Sequence, residues 1–134
     1  MYRVDGPLTQ RSLGETEFVR GQAAISASGD FGAARACDVM FGNVDLTLGS
    51  AVEPILEQHI EASGGRFRGV RISSGWHSHE GIHNVGDRES LLLEASVNEA
   101  VNIVHRMNLS LDVWLYHTQL EEVAQLADNH PDLT

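Results

Sequence analysis

Seven histidines stand in the 134 residues, and three of them fall in one stretch, Trp76-His77-Ser78-His79-Glu80-Gly81-Ile82-His83, with Asp87 close behind. Imidazole and carboxylate groups are ligands for a borderline divalent metal, and a neutral imidazole titrates near pH ~6.5. His77, His79 and His83 are therefore the candidate metal ligands. An HxH pair places two imidazoles on one side of a strand, but here the pair sits among glycines and lacks β-branched neighbours. The plainer reading is a solvated polar loop. Structureless connections of this length are uncommon and often functional, so Trp76 and His77, where the chain leaves its strand, are candidate substrate contacts.

Arg71 is the second centre of interest, because it lies near the end of a strand-like run on the same face as Gly69. Its guanidinium suits a bidentate contact with the carboxylate of an anionic substrate. It equally suits an ion pair with a strand-end carboxylate such as Asp45 or Asp112. Asp112 interrupts an apolar strand, where an unpartnered charge would be costly, so it pairs with an arginine or anchors backbone amides. Tyr116 and His117 follow it toward the strand end and can hydrogen-bond a ligand, whereas Trp114 fills space. Asn43 and Asp45 occupy the same level on an earlier strand, Asn43 as a substrate contact and Asp45 as a structural polar group. Cys37 has no motif around it and reads as a small buried hydrophobe.

The elements that must position these groups alternate between short strand-like runs and longer helical patterns. That alternation predicts βα units and a parallel sheet. A helix is expected over 14–27, with Glu15 and Glu17 in a first turn whose dipole favours them. A buried strand is expected over 39–46. A helix opening at Gly49-Ser50 holds Pro54 in its first turn and stops at Gly64-Gly65. A strand over 67–73 follows, then a polar loop over 74–88 and a helix over 89–107. The clearest strand is 110–116, where Leu111, Val113 and Leu115 alternate with Asp112, Trp114 and Tyr116. Thr118 and Glu121 have capping-box spacing for a last helix, which Pro131 ends. An aliphatic side facing helices and a polar or aromatic side facing inward suits a closed β/α barrel better than a doubly wound sheet.

Composition sets the limits. There are 19 acidic and 9 basic side chains, a net charge of −10, and every cation is arginine. A nucleic-acid surface would need a basic stripe, so no nucleic-acid partner is expected. No apolar run reaches the ~18 residues of a membrane span, so no membrane partner is expected either. One cysteine excludes an internal disulfide and any zinc site built from several cysteines, and fits a reducing, cytoplasmic setting. The length suits one domain, and without lysine these residues offer no Schiff-base chemistry.

Several strings occur together and in order: Gly-Glu-Thr-Glu-Phe-Val (14–19), Val-Asp-Leu-Thr-Leu-Gly (44–49), Gly-Gly-Arg-Phe-Arg-Gly-Val-Arg (64–71), Leu-Ser-Leu-Asp-Val-Trp-Leu-Tyr-His-Thr-Gln-Leu (109–120) and Leu-Ala-Asp-Asn-His-Pro-Asp-Leu (126–133). Jointly they resemble the amidohydrolase-related family (amidohydrolase 2), TIM-barrel metal-dependent hydrolases that include dicarboxylate and sugar lactonases. The resemblance implies a partial (β/α)8 TIM barrel over 1–134, a single partial domain of three to four βα units with parallel strands. The end of the family's second strand would lie near residues 2–5. The family's N-terminal HxH strand and its C-terminal part, with a strand-end aspartate, would lie outside these residues. By resemblance Arg71 lines the substrate side of the pocket, and Arg71, Asp112 and Trp114 match the family pattern. The sequence departs from it at Asn43 and Ile72, where histidine is usual, and at His77, where aspartate is usual.

Three functional expectations follow. The first is a part of an amidohydrolase-related, lactonase-like hydrolase, acting on a lactone or related C–O/C–N bond of a small carboxylate-bearing molecule. Its catalytic groups would lie outside the chain, with a zinc-type divalent metal in the full-length parent and none in this stretch. The second is a catalytically inert barrel fragment that associates through open sheet edges, giving a homo-oligomer. The third is a small metal-binding module built on the His loop.

Overall fold

The computed structural model describes residues 2–133. Its elements run in chain order as helix α1 (Leu13–Ala27), strand β1 (Met40–Asn43), helix α2 (Glu53–Ala62), strand β2 (Phe67–Ser73), helix α3 (Ala95–Arg106), strand β3 (Ser110–Trp114) and helix α4 (Leu120–Asn129). Short 3-10 turns precede α2, α3 and α4. The chain is thus mixed α/β, with an open three-stranded sheet in the order β1-β2-β3. Both pairings are parallel.

Local chemistry explains the element ends. Pro54 lies in the first turn of α2, where its missing N–H costs nothing. At the other end of α2 the Ser63 hydroxyl donates to Ile60 O and accepts from the N–H groups of Arg66 and Phe67. Gly64 and Gly65 follow with φ of 63° and 83°, the left-handed conformation that lets the chain reverse into β2. In β1, Gly42 leaves room that a Cβ would fill, since Phe67 Cε2 would stand 2.7 Å from it. The Phe67 ring stacks on His59 of α2 there, with centroids 5.2 Å apart.

The sheet has one covered and one bare face. Helices α2 and α3 share one core with the sheet, as two successive crossovers of the same hand between neighbouring parallel strands require. On that side Met40, Val70 and Ile72 join Val52, Leu56, Val97, Val101 and Val104 in one core. Leu111 and Val113 pack against it, and α4 contributes Leu126. The opposite face carries Phe41, Asn43, Arg71 and Trp114, all exposed, and the half-buried Asp112. The parallel register sets Asn43 beside Arg71 and Arg71 beside Asp112, forming one polar row across all three strands.

Several sequence expectations need correction. Residues 2–5 form no strand; Arg3 N–H instead donates to Arg11 O, and its guanidinium pairs with Glu17 of α1. The strand expected over 39–46 is confined to Met40–Asn43, because Asp45 caps a 3-10 turn by accepting from Thr47 N–H at 3.0 Å. The helix expected from 89 begins at Ala95. Ser90 is left-handed at φ 57°, Glu94 is extended, and Arg88 grips both Glu94 oxygens, which holds the chain out of helix. Thr118 lies inside a 3-10 turn and does not cap α4. Cys37 is only half-buried, at φ 56°.

Candidate functional site

Ligands of open parallel sheets bind in the crevice beyond the carboxyl ends of the strands. A crevice of about 370 Å³ occupies that position, bounded by Asn43, Asp45, Thr47, Arg71, Ser73 and Asp87. Strand β1 delivers Asn43, β2 delivers Arg71 and Ser73, and the returning loop brings Asp87. Arg71 Nε donates to Asp112 Oδ2 at 2.7 Å, and Nη2 contacts the same oxygen. The pairing left open by the sequence is therefore made with Asp112 and not with Asp45. One edge of the guanidinium is engaged while its side chain stays 55% exposed, which leaves the Nη1 edge free to meet an anion. Asp45 Oδ1 accepts from the Thr47 hydroxyl at 2.6 Å, and Asp87 pairs with Arg88.

The histidine stretch forms a pinned loop whose two ends meet. Val85 and Gly86 N–H both donate to Gly75 O at 2.9 Å. Asn84 bridges the excursion, its Oδ1 accepting from His77 N–H and its Nδ2 donating to His77 O. Tyr116 OH donates to His83 O, and its ring meets His77 edge-on at 6.4 Å. His77 Nδ1 accepts from His79 N–H and His79 Nδ1 accepts from Gly81 N–H, each at 3.0 Å. Both Nδ1 atoms are thus engaged within the loop itself. No group of three or more His, Cys, Asp or Glu side chains converges among the described residues.

The residues expected to contact substrate divide between two places. Asn43 and Arg71 line the strand-end crevice. Trp76 and His77 line a smaller one of about 160 Å³ with Ser78, Glu89, Thr118, Gln119 and Glu122. Tyr116 braces the loop, and His117 is exposed at the start of a 3-10 turn. Sequence reasoning missed Gln119, which is 4% exposed. Its Oε1 accepts from Trp76 N–H at 2.9 Å and Tyr116 N–H at 3.4 Å, while Nε2 donates to Ser74 O at 2.9 Å. That one amide ties the exit of β2 to the exit of β3. Ser74 was also missed; it is wholly buried beneath the loop return.

The fold and site define a parallel α/β sheet with helices on one face and a polar crevice at its strand ends. No protein-family model, curated protein or solved structure matches the chain. No helix among the described residues is long and apolar enough to cross a membrane.

Proposed function

We propose that the chain forms one wall of a (β/α)8 barrel of amidohydrolase-related type, and that this barrel hydrolyses a lactone or related C–O/C–N bond of a small carboxylate-bearing molecule. The observation that carries the reading is the bare polar face. Helices cover one side of a parallel sheet, and the Asn43–Arg71–Asp112 row crosses the other at the level of a strand-end crevice. In a barrel that face is the interior, and its carboxyl-end rim is where ligands are held.

Within this reading the chain binds and orients. Asp112 fixes the Arg71 guanidinium from one edge, and the other edge meets the substrate's carboxylate. Asn43 and Ser73 supply neutral hydrogen bonds on either side. Water activation belongs to strands outside these residues, and no step runs through a metal held here. The test is succinate titration of the 15N-labelled chain at millimolar concentration. Shifts centred on Gly69–Ser73 that vanish in Arg71→Gln are expected. Unmoved resonances, or the same shifts in Arg71→Gln, would overturn the proposal.

A further inference from the structure

The Gly64-Gly65 turn leads into β2 at the end of the sheet away from the strand-end crevice, and arginines gather around it. A Cβ on Gly64 would stand 3.2 Å from Arg20 Nε and 3.7 Å from Arg66 Nη1, so two guanidinium groups reach the same point. A third is close by, since Arg68 Nη1 donates to Gly65 O at 2.8 Å. Arg3, Arg71, Arg88 and Arg106 are held by carboxylates, but among the described residues these three are not. Glu61 borders the groove beside Arg20 without pairing to it. Arg66 Nε is buried and donates to nothing among the described residues.

Local structure balances only part of this charge. Arg20 Nη1 donates to Ala62 O at 3.3 Å, at the carbonyl end of α2. A helix end supplies about half a negative charge, against the three positive charges of the guanidinium groups. The net charge of −10 repels anions at long range, but at 0.15 M salt that reach is about 8 Å, so the local cations decide. We propose that the turn binds a phosphate group, held between the Arg20 and Arg66 guanidinium groups with Arg68 at its edge. Each guanidinium fork matches two oxygens of a tetrahedral anion. Because both forks reach one point, a single group with several oxygens suits them better than the two separated carboxylates of a dicarboxylic acid. Gly64, left-handed at φ 63°, presents no side chain to obstruct the approach. The site stands apart from the hydrolase reading. It lies at the opposite end of β2 from Arg71, so phosphate binding here and succinate binding at the crevice can fail separately.

Titration of the 15N-labelled full chain with sodium phosphate tests it, with sodium chloride holding the ionic strength at about 0.15 M. Saturable shifts of the Gly64, Gly65 and Arg66 amides are expected at millimolar phosphate. Arg20→Gln and Arg66→Gln should each weaken binding by about tenfold, through loss of a charge-assisted contact. Arg35→Gln, at an exposed guanidinium in another part of the chain, should leave it unchanged. The spectrum of each variant verifies that it folds. Should Arg66→Gln fail to fold, Arg20→Gln carries the test, because Arg20 is exposed. A parallel titration with glycerol phosphate separates the sources of the group. Tighter binding of the ester identifies a phosphorylated small molecule, and equal or weaker binding identifies the free anion; either upholds the site. Shifts that never saturate, that chloride alone reproduces, or that persist undiminished in Arg20→Gln overturn the proposal.

Discussion

His59 is wholly buried between α1 and α2, with Nδ1 2.8 Å from the Thr16 hydroxyl and Nε2 3.2 Å from that of Ser12. Burial, aided by the positive charge of Arg3, pushes its pKa down from 6.5 to about 4. The neutral ring is thus the folded form, and in the window between these values the unfolded chain binds a proton that the native chain does not. Stability is therefore full above pH ~6.5 and falls as the pH drops toward 4. Between pH 7.5 and pH 5 the loss from this residue alone is about 2 kcal/mol. Urea unfolding at the two pH values should register that loss in the wild type and a much smaller one in His59→Gln. Equal losses in both would assign the slope to another group. A histidine at this position is legible in the sequence as part of an apolar helical stripe, but its partners are not. Thr16 and Ser12 lie more than forty positions away along the chain.

Between elements, the decisive contact is the Gln119 amide, which joins Ser74 and Trp76 after β2 to Tyr116 after β3. Gln119→Ala removes the acceptor and the donor together and leaves buried backbone groups at Ser74 and Trp76 without partners. The cost is about 2–3 kcal/mol. Chemical denaturation should record it, and amide exchange at Trp76 should quicken before exchange in β2. A loss below about 0.5 kcal/mol, with Trp76 exchange unchanged, would show that the loop is held otherwise. Strand β2 was legible to the residue, because Gly64-Gly65 and the polar loop bracket an apolar run. The Arg71–Asp112 pair was legible as a possibility, since two opposite charges in apolar strands need partners. The start of α3 was not, because the helical stripe continues through Leu93 while the Arg88–Glu94 clamp, a tertiary contact, holds the backbone extended. Nor was the Gln119 clasp, for a glutamine's partners depend on which backbone groups the fold leaves free. The expected Thr118–Glu121 capping box failed for the same reason: Gln119, next in the chain, met the local backbone need first.

On the scale of the whole molecule, the acidic charge works against the compact state. Nineteen acidic side chains share the surface with nine arginines, leaving −10 on a chain of 134 residues, and the folded form holds those charges closer together than the unfolded one does. Contact pairs such as Arg71–Asp112 and Arg88–Glu94 neutralise only part of it. Screening shortens the reach of the remaining repulsion from about 30 Å at 0.01 M salt to about 8 Å at 0.15 M. The urea midpoint of unfolding should therefore rise between 0.01 M and 0.15 M sodium chloride with its slope unchanged. A midpoint that falls over that range would mean that attraction within the ion pairs outweighs the repulsion of the excess carboxylates, and the charge of −10 would then not be what limits the stability of this fold.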